Sequence, residues 1–134
     1  MDTPADRPLL VVSADWRTRA LLAAQLGETT GRSVLSAPGP RQALRLARIA
    51  RLDPAVVVAD AGQEITPAEV EALLEGLPRA RLVLAVSALR RAEFEQLRGR
   101  SAAFLVRPVT IGALAQAAAD ALAQANGAHP GSRG

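Results

Sequence analysis

The stretch Ala55-Val56-Val57-Val58-Ala59-Asp60-Ala61-Gly62 decides the fold. Five small or β-branched apolar residues in succession leave no polar face, so a strand here must be covered on both sides. The run stops at a carboxylate, Asp60. Upstream, Asp53-Pro54 closes the preceding segment, because proline disfavours helical geometry at the residue before it. Downstream, Thr66-Pro67-Ala68-Glu69 is a capping box with proline at the first helical position, opening a helix to about Leu77. A fully buried strand between two helices belongs at the centre of a parallel sheet.

The alternation continues in both directions. Toward the N-terminus, Pro38-Gly39-Pro40 opens a helix from Arg41 to about Leu52, with Ala43, Leu44, Ala47 and Ala50 facing inward and Arg41, Arg45 and Arg48 on an outer, solvated face. Ser33–Ala37 reads as a short strand. Before it, Ala20, Leu21, Leu22, Ala24 and Leu26 form the apolar face of a helix that Asp15 caps and Gly27 ends. Leu9–Val12 is the first strand. Toward the C-terminus, Arg81–Val86 is a strand closed by Ser87, and Arg90–Arg98 is a strongly charged, exposed helix. Ala103–Val106 is a strand ended by Arg107-Pro108, and Thr110 caps an Ala-rich helix to about Ala125. Five strands thus alternate with five helices, and single-helix crossovers imply a parallel sheet with right-handed connections. Residues 1–7 read as an N-terminal extension, 8–125 as one domain and 126–134 as a flexible tail.

Composition narrows the function. All 16 basic residues are arginine, yet the formal charge is only +3, so the high pI reflects arginine in place of lysine. The arginines are scattered and the aromatics are two Phe and one Trp, a poor basis for nucleic-acid binding. The absence of cysteine excludes disulfides, thiolate metal sites and cysteine nucleophiles. The single histidine, His129, lies in the Gly/Pro-rich tail and is poorly placed for metal or acid–base work. No apolar run approaches the roughly 20 residues a membrane span needs. The acidic start of the chain lacks the features of a signal peptide, so a cytoplasmic location is expected.

In open parallel sheets, function collects at the carboxyl ends of the strands. That places Ser13-Ala14-Asp15, Asp60, Ser87 and Arg107 together. With the (βα)₅ order, Asp60 ending the third strand, Ser87-Ala88 the fourth and Arg107-Pro108 the fifth, the chain resembles a response-regulator receiver domain (CheY-like) from Pro8 to Gln124. The resemblance implies a flavodoxin-like three-layer sandwich with strand order 2-1-3-4-5. It also implies that Asp60 stands at the phosphoacceptor position, that Ser87 and Arg107 stand where a hydroxyl and a lysine contact the phosphoryl group, and that Phe104 stands at the aromatic switch position. Receivers commonly have a cis bond at the Arg107-Pro108 position.

The chain departs from that pattern at two places. The acid pair that holds magnesium in receivers is replaced by Ser13-Ala14, and Asp15, one residue further on, is expected to cap the first helix. Arginine at 107 is a planar fork where the family has a compact ammonium. These departures point to an atypical or pseudo-receiver. In it Asp60 forms a plain ion pair with Arg107, Ser87 satisfies backbone groups, and Trp16 is a lid over the vacant acid site or a partner contact. Such a module has no metal, no cofactor and no catalysis of its own. It acts in phosphorelay (two-component) signalling by binding a histidine kinase, a downstream regulator or itself through the face formed by the fourth helix, fifth strand and fifth helix. The alternative is a competent receiver that accepts phosphate on Asp60 with Mg²⁺. A nucleotide-binding flavodoxin-like domain is disfavoured because the loop from Ser13 to Thr18 contains no glycine.

Overall fold

The computed structural model describes residues 7–62 and 64–127. The N-terminal extension before Arg7 and the tail beyond Gly127, including His129, lie outside the described residues. The strands are β1 (Leu9–Ser13), β2 (Val34–Ala37), β3 (Val56–Ala61), β4 (Arg81–Val86) and β5 (Ser101–Val106). The helices are α1 (Trp16–Thr30), α2 (Pro40–Ala50), α3 (Pro67–Gly76) and α4 (Ile111–Gly127). All strand pairs are parallel, in the order β2-β1-β3-β4-β5. This is the flavodoxin-like order, with β3 at the centre and every residue of β1 and β3 buried.

Two aliphatic layers cover the sheet. Leu22 and Leu26 of α1 pack with Leu114, Ala118 and Leu122 of α4 on one face. Ala43 and Ala47 of α2, Leu73 and Leu74 of α3, and Phe94 and Leu97 cover the other. Small side chains let α2 and α3 approach closely: a Cβ at Gly76 would come within 2.4 Å of a Leu44 methyl carbon.

Several expected elements differ in detail. α1 passes through Gly27 and ends at Gly31, whose φ of 69° suits glycine and whose N–H bonds the Gly27 carbonyl. Its inward residues are Leu22 and Leu26, one helical turn apart, while Leu21 is exposed and Ala20 and Ala24 face water. In α2, Ala50 is likewise exposed. The expected fourth helix forms as two 3₁₀ segments, Ala88–Arg90 and Ala92–Arg100. Only Phe94 and Leu97 bury there, three residues apart, which matches the three-residue turn of a 3₁₀ helix. The ion pairs Arg90–Glu93 (2.8 Å) and Arg98–Glu95 (3.0 Å) also link residues three apart. Thr66 and Glu69 close the expected capping box on α3, and the Thr110 hydroxyl accepts from Ala113 N–H at 3.0 Å to start α4.

At the opposite end of the sheet from Asp60, Arg7 clasps the chain. Its guanidinium donates to the carbonyls of Asp53 (3.0 Å), Pro54 (2.8 Å) and Arg79 (3.1 Å), tying the starts of β1, β3 and β4 together.

α2 ends in a Schellman motif: Leu52 N–H bonds the Ala47 carbonyl at 2.8 Å and Arg51 N–H the Arg48 carbonyl at 3.3 Å. The motif puts Arg51 at φ 54°, in the left-handed region that penalises a Cβ. Arg51→Gly is therefore expected to raise unfolding stability by up to about 1 kcal/mol. Chemical denaturation would check this, and a loss of stability would mean that the Arg51 side chain contributes more than its backbone costs.

Candidate functional site

The register of the sheet builds the site. Ser13 lies directly beside Asp60 across the β1–β3 pair, and both are buried at the carboxyl ends of their strands. The Asp60 carboxylate is 7% exposed, and both of its oxygens are engaged. Oδ2 accepts from the Ser13 hydroxyl at 2.9 Å. Oδ1 accepts from Arg107 Nη2 in an ion pair with the guanidinium. Arg107 reaches it from the end of β5, where its own N–H bonds the Val86 carbonyl at 2.8 Å. A buried carboxylate needs this density of donors, because an uncompensated charge there would be costly. The Arg107–Pro108 bond is cis.

Asp15 is committed elsewhere. Its Oδ1 accepts from Arg17 N–H at 3.2 Å and its Oδ2 from the Thr18 hydroxyl at 2.8 Å, capping α1. The hydrogen bonds from Thr18 and the Arg17 backbone hold its carboxyl below the ordinary aspartate range. Ala14 is exposed and supplies no ligand. Arg19 donates to the Ser13 carbonyl at 2.8 Å, pinning the end of β1 to the first turns of α1.

A cleft of about 340 Å³ opens beside Asp60, lined by Ala14, Asp15, Asp60, Gly62 and Glu64. The donor set does not fit the magnesium ion that the receiver resemblance implies. Asp60 has no unengaged oxygen, Asp15 caps a helix and Ala14 has no donor. Among the described residues no cluster of three His, Asp or Glu side chains is arranged to hold a metal.

The other expected positions are less tightly drawn in. The Ser87 hydroxyl does not cap the segment that follows; the Ser87 main-chain carbonyl does the satisfying, accepting from Arg90 N–H at 3.1 Å. Trp16 is 64% exposed, does not line the cleft, and carries the Arg17 guanidinium 5.5 Å from its ring centroid. It is therefore not a lid, because its place at the first residue of α1 turns it to solvent. Phe104 is half-buried, with the Arg98 guanidinium 4.4 Å above its ring.

One residue was invisible in the sequence. Arg90 looked like an exposed charge, but its side chain is only 16% exposed. It donates to the Gly62 carbonyl, pairs with Glu93 and lies 5.1 Å from the Phe94 ring. The hydrogen bond from Arg90 holds the Glu93 carboxyl below its ordinary range. Arg90 thereby straps the loop after β3 to the segment after β4. No residue type signalled this contact, because its acceptor is the Gly62 main-chain carbonyl.

No family model matches the sequence, and no curated protein matches it. Solved structures do match in fold. A response regulator receiver domain protein from Clostridium thermocellum superposes with a TM-score of 0.72 at 17% identity, covering 88% of this chain and 95% of that one. A CheY-like response regulator receiver domain protein from Methanospirillum hungatei gives 0.73 at 16%, covering 90% and 97%. NtrX from Brucella abortus, solved in complex with ATP, gives 0.71 at 21%; 90% of this chain matches 28% of that longer one. Among the described residues no helix is long and apolar enough to cross a membrane.

Proposed function

We propose that this chain, which has the fold of response-regulator receiver domains, is an atypical receiver in two-component signalling that works as a protein-interaction module. The observation that carries this reading is the Asp60 carboxylate, buried with both oxygens held by Arg107 and Ser13. In a phosphoacceptor one carboxylate oxygen must attack phosphorus, and a cation must offset the charge of both partners. Here the guanidinium occupies the carboxylate itself. The site thus behaves as a switch set by an internal ion pair, and it has no catalytic turnover.

The partner expected is a histidine kinase, a downstream regulator or a second copy of this chain, in the cytoplasm. The face that fits is formed by the two 3₁₀ segments, β5 and α4. β5 is an edge strand of the sheet, half-buried along its whole length. Its aromatic, Phe104, is covered by Arg98 and so is coupled to the charged outer surface.

The second reading, a phosphorylation-competent receiver, draws support from the open cleft beside Asp60. Intact-mass spectrometry after incubation with a small phosphodonor and Mg²⁺ separates the two. The proposed module gains no phosphoryl group. Gain of one phosphoryl mass, lost in Asp60→Asn, would establish the second reading and end the first. Trp16 fluorescence is a poor reporter here because the side chain is exposed and does not line the cleft.

A further inference from the structure

We propose that the exposed face of α2 and α3 is a self-association surface, on which a second copy of this chain docks about a two-fold axis running along the groove between the two helices. α2 presents Arg41, Arg45 and Arg48, with Arg51 just beyond its end, and contains no acidic residue. α3 presents Glu69, Glu71 and Glu75 and contains no basic residue. Among the described residues, none of these seven side chains forms an ion pair within the chain. Charge is segregated by helix into an arginine row and an acidic row of Glu71 and Glu75, with Glu69 at the groove; Glu69 also closes the α3 capping box and Glu71 accepts from Gln96 Nε2 at 3.2 Å.

Between the rows runs a mainly apolar groove of about 220 Å³, floored by Leu44, Ala68, Ala72 and Leu73 and flanked by Arg41 and Glu69. Crossover helices joining parallel strands run in the same direction, so α2 and α3 lie side by side and parallel. A two-fold axis along their groove sets each α2 opposite the partner's α3. Each arginine row then meets a glutamate row, twice per dimer, while the apolar floors close on each other. An isologous contact needs this self-complementarity.

The same layout argues against a polyanion as the occupant. A nucleic acid or an anionic membrane attracted to α2 would lie beside the glutamates of α3, and the face has no aromatic side chain on which bases could stack. The inference stands apart from the state of Asp60, which lies at the carboxyl end of the sheet and not on this face.

Sedimentation of the full chain over a wide concentration range tests it. At low ionic strength the mass average is expected to rise from monomer toward dimer, and added salt should reverse the rise. Arg45→Glu with Arg48→Glu, and separately Glu71→Arg with Glu75→Arg, should each weaken the dimer on the order of a hundredfold, because attraction becomes repulsion at both symmetric contacts. An equimolar mixture of the two variants should restore a heterodimer. Circular dichroism confirms that each is folded; if a reversal fails to fold, Arg45→Gln with Arg48→Gln should still weaken association about tenfold. A wild type that stays monomeric at low salt overturns the proposal. So does a dimer indifferent to the reversals, a mixture that does not pair, or a monomer that binds duplex DNA or anionic vesicles through the arginine row.

Discussion

Arg107→Met is expected to lower unfolding stability by about 3 kcal/mol, whereas Asp60→Asn should cost only about 1 kcal/mol. The asymmetry follows from exposure. The Asp60 side chain is 7% exposed and that of Arg107 35%. Without Arg107, a buried carboxylate keeps the Ser13 hydroxyl as its one side-chain donor. Without the Asp60 charge, the amide oxygen still accepts from Ser13, and the guanidinium turns to water. Urea denaturation of the two single variants and the double variant gives both costs and the coupling between them. Equal costs, or a larger cost for Asp60→Asn, would mean that the carboxylate is better solvated than this geometry allows. The internal pair would then be a weak basis for a fixed switch.

Phe94→Ala should cost about 3–5 kcal/mol, the usual range for emptying a fully buried aromatic site. Phe94 is the largest fully buried side chain in the core. It also has a local role, because only Phe94 and Leu97 anchor the 3₁₀ segment Ala92–Arg100. Amide exchange should therefore accelerate over residues 88–100 well before the rest of the chain opens, and Arg90 should lose its footing on the ring. Uniform destabilisation without local loss of protection would show that the ion pairs, not the aromatic, hold this segment down.

The parts of the fold legible in the sequence were those decided locally. Val56-Val57-Val58 can only be a buried strand, and Thr66-Pro67-Ala68-Glu69 satisfies its own helix terminus with its own side chains. The position of Asp60 followed from strand order, because residues at the carboxyl ends of neighbouring parallel strands converge whatever their identity. Features decided by tertiary partners were not legible. Gly27 has open space around it and no positive φ, so nothing at that position stops α1; the stop lies four residues on. Whether Arg90–Arg98 winds as α or 3₁₀ depends on how few residues it can bury. That Ser13, standing where receivers carry an acid, donates to Asp60 depended on the β1–β3 register. Arg90 and Arg7 work through main-chain carbonyls far along the chain, and a carbonyl carries no side-chain signature.

The cationic half of the Asp60 pair is a guanidinium, in a chain without a single lysine. Acylation that neutralises a cationic side chain requires a lysine amine, so no such modification can neutralise Arg107 or any of the other 15 arginines. Acyl donors therefore leave the pair closed, while a dicarbonyl reagent selective for arginine opens it from the protein's outer surface.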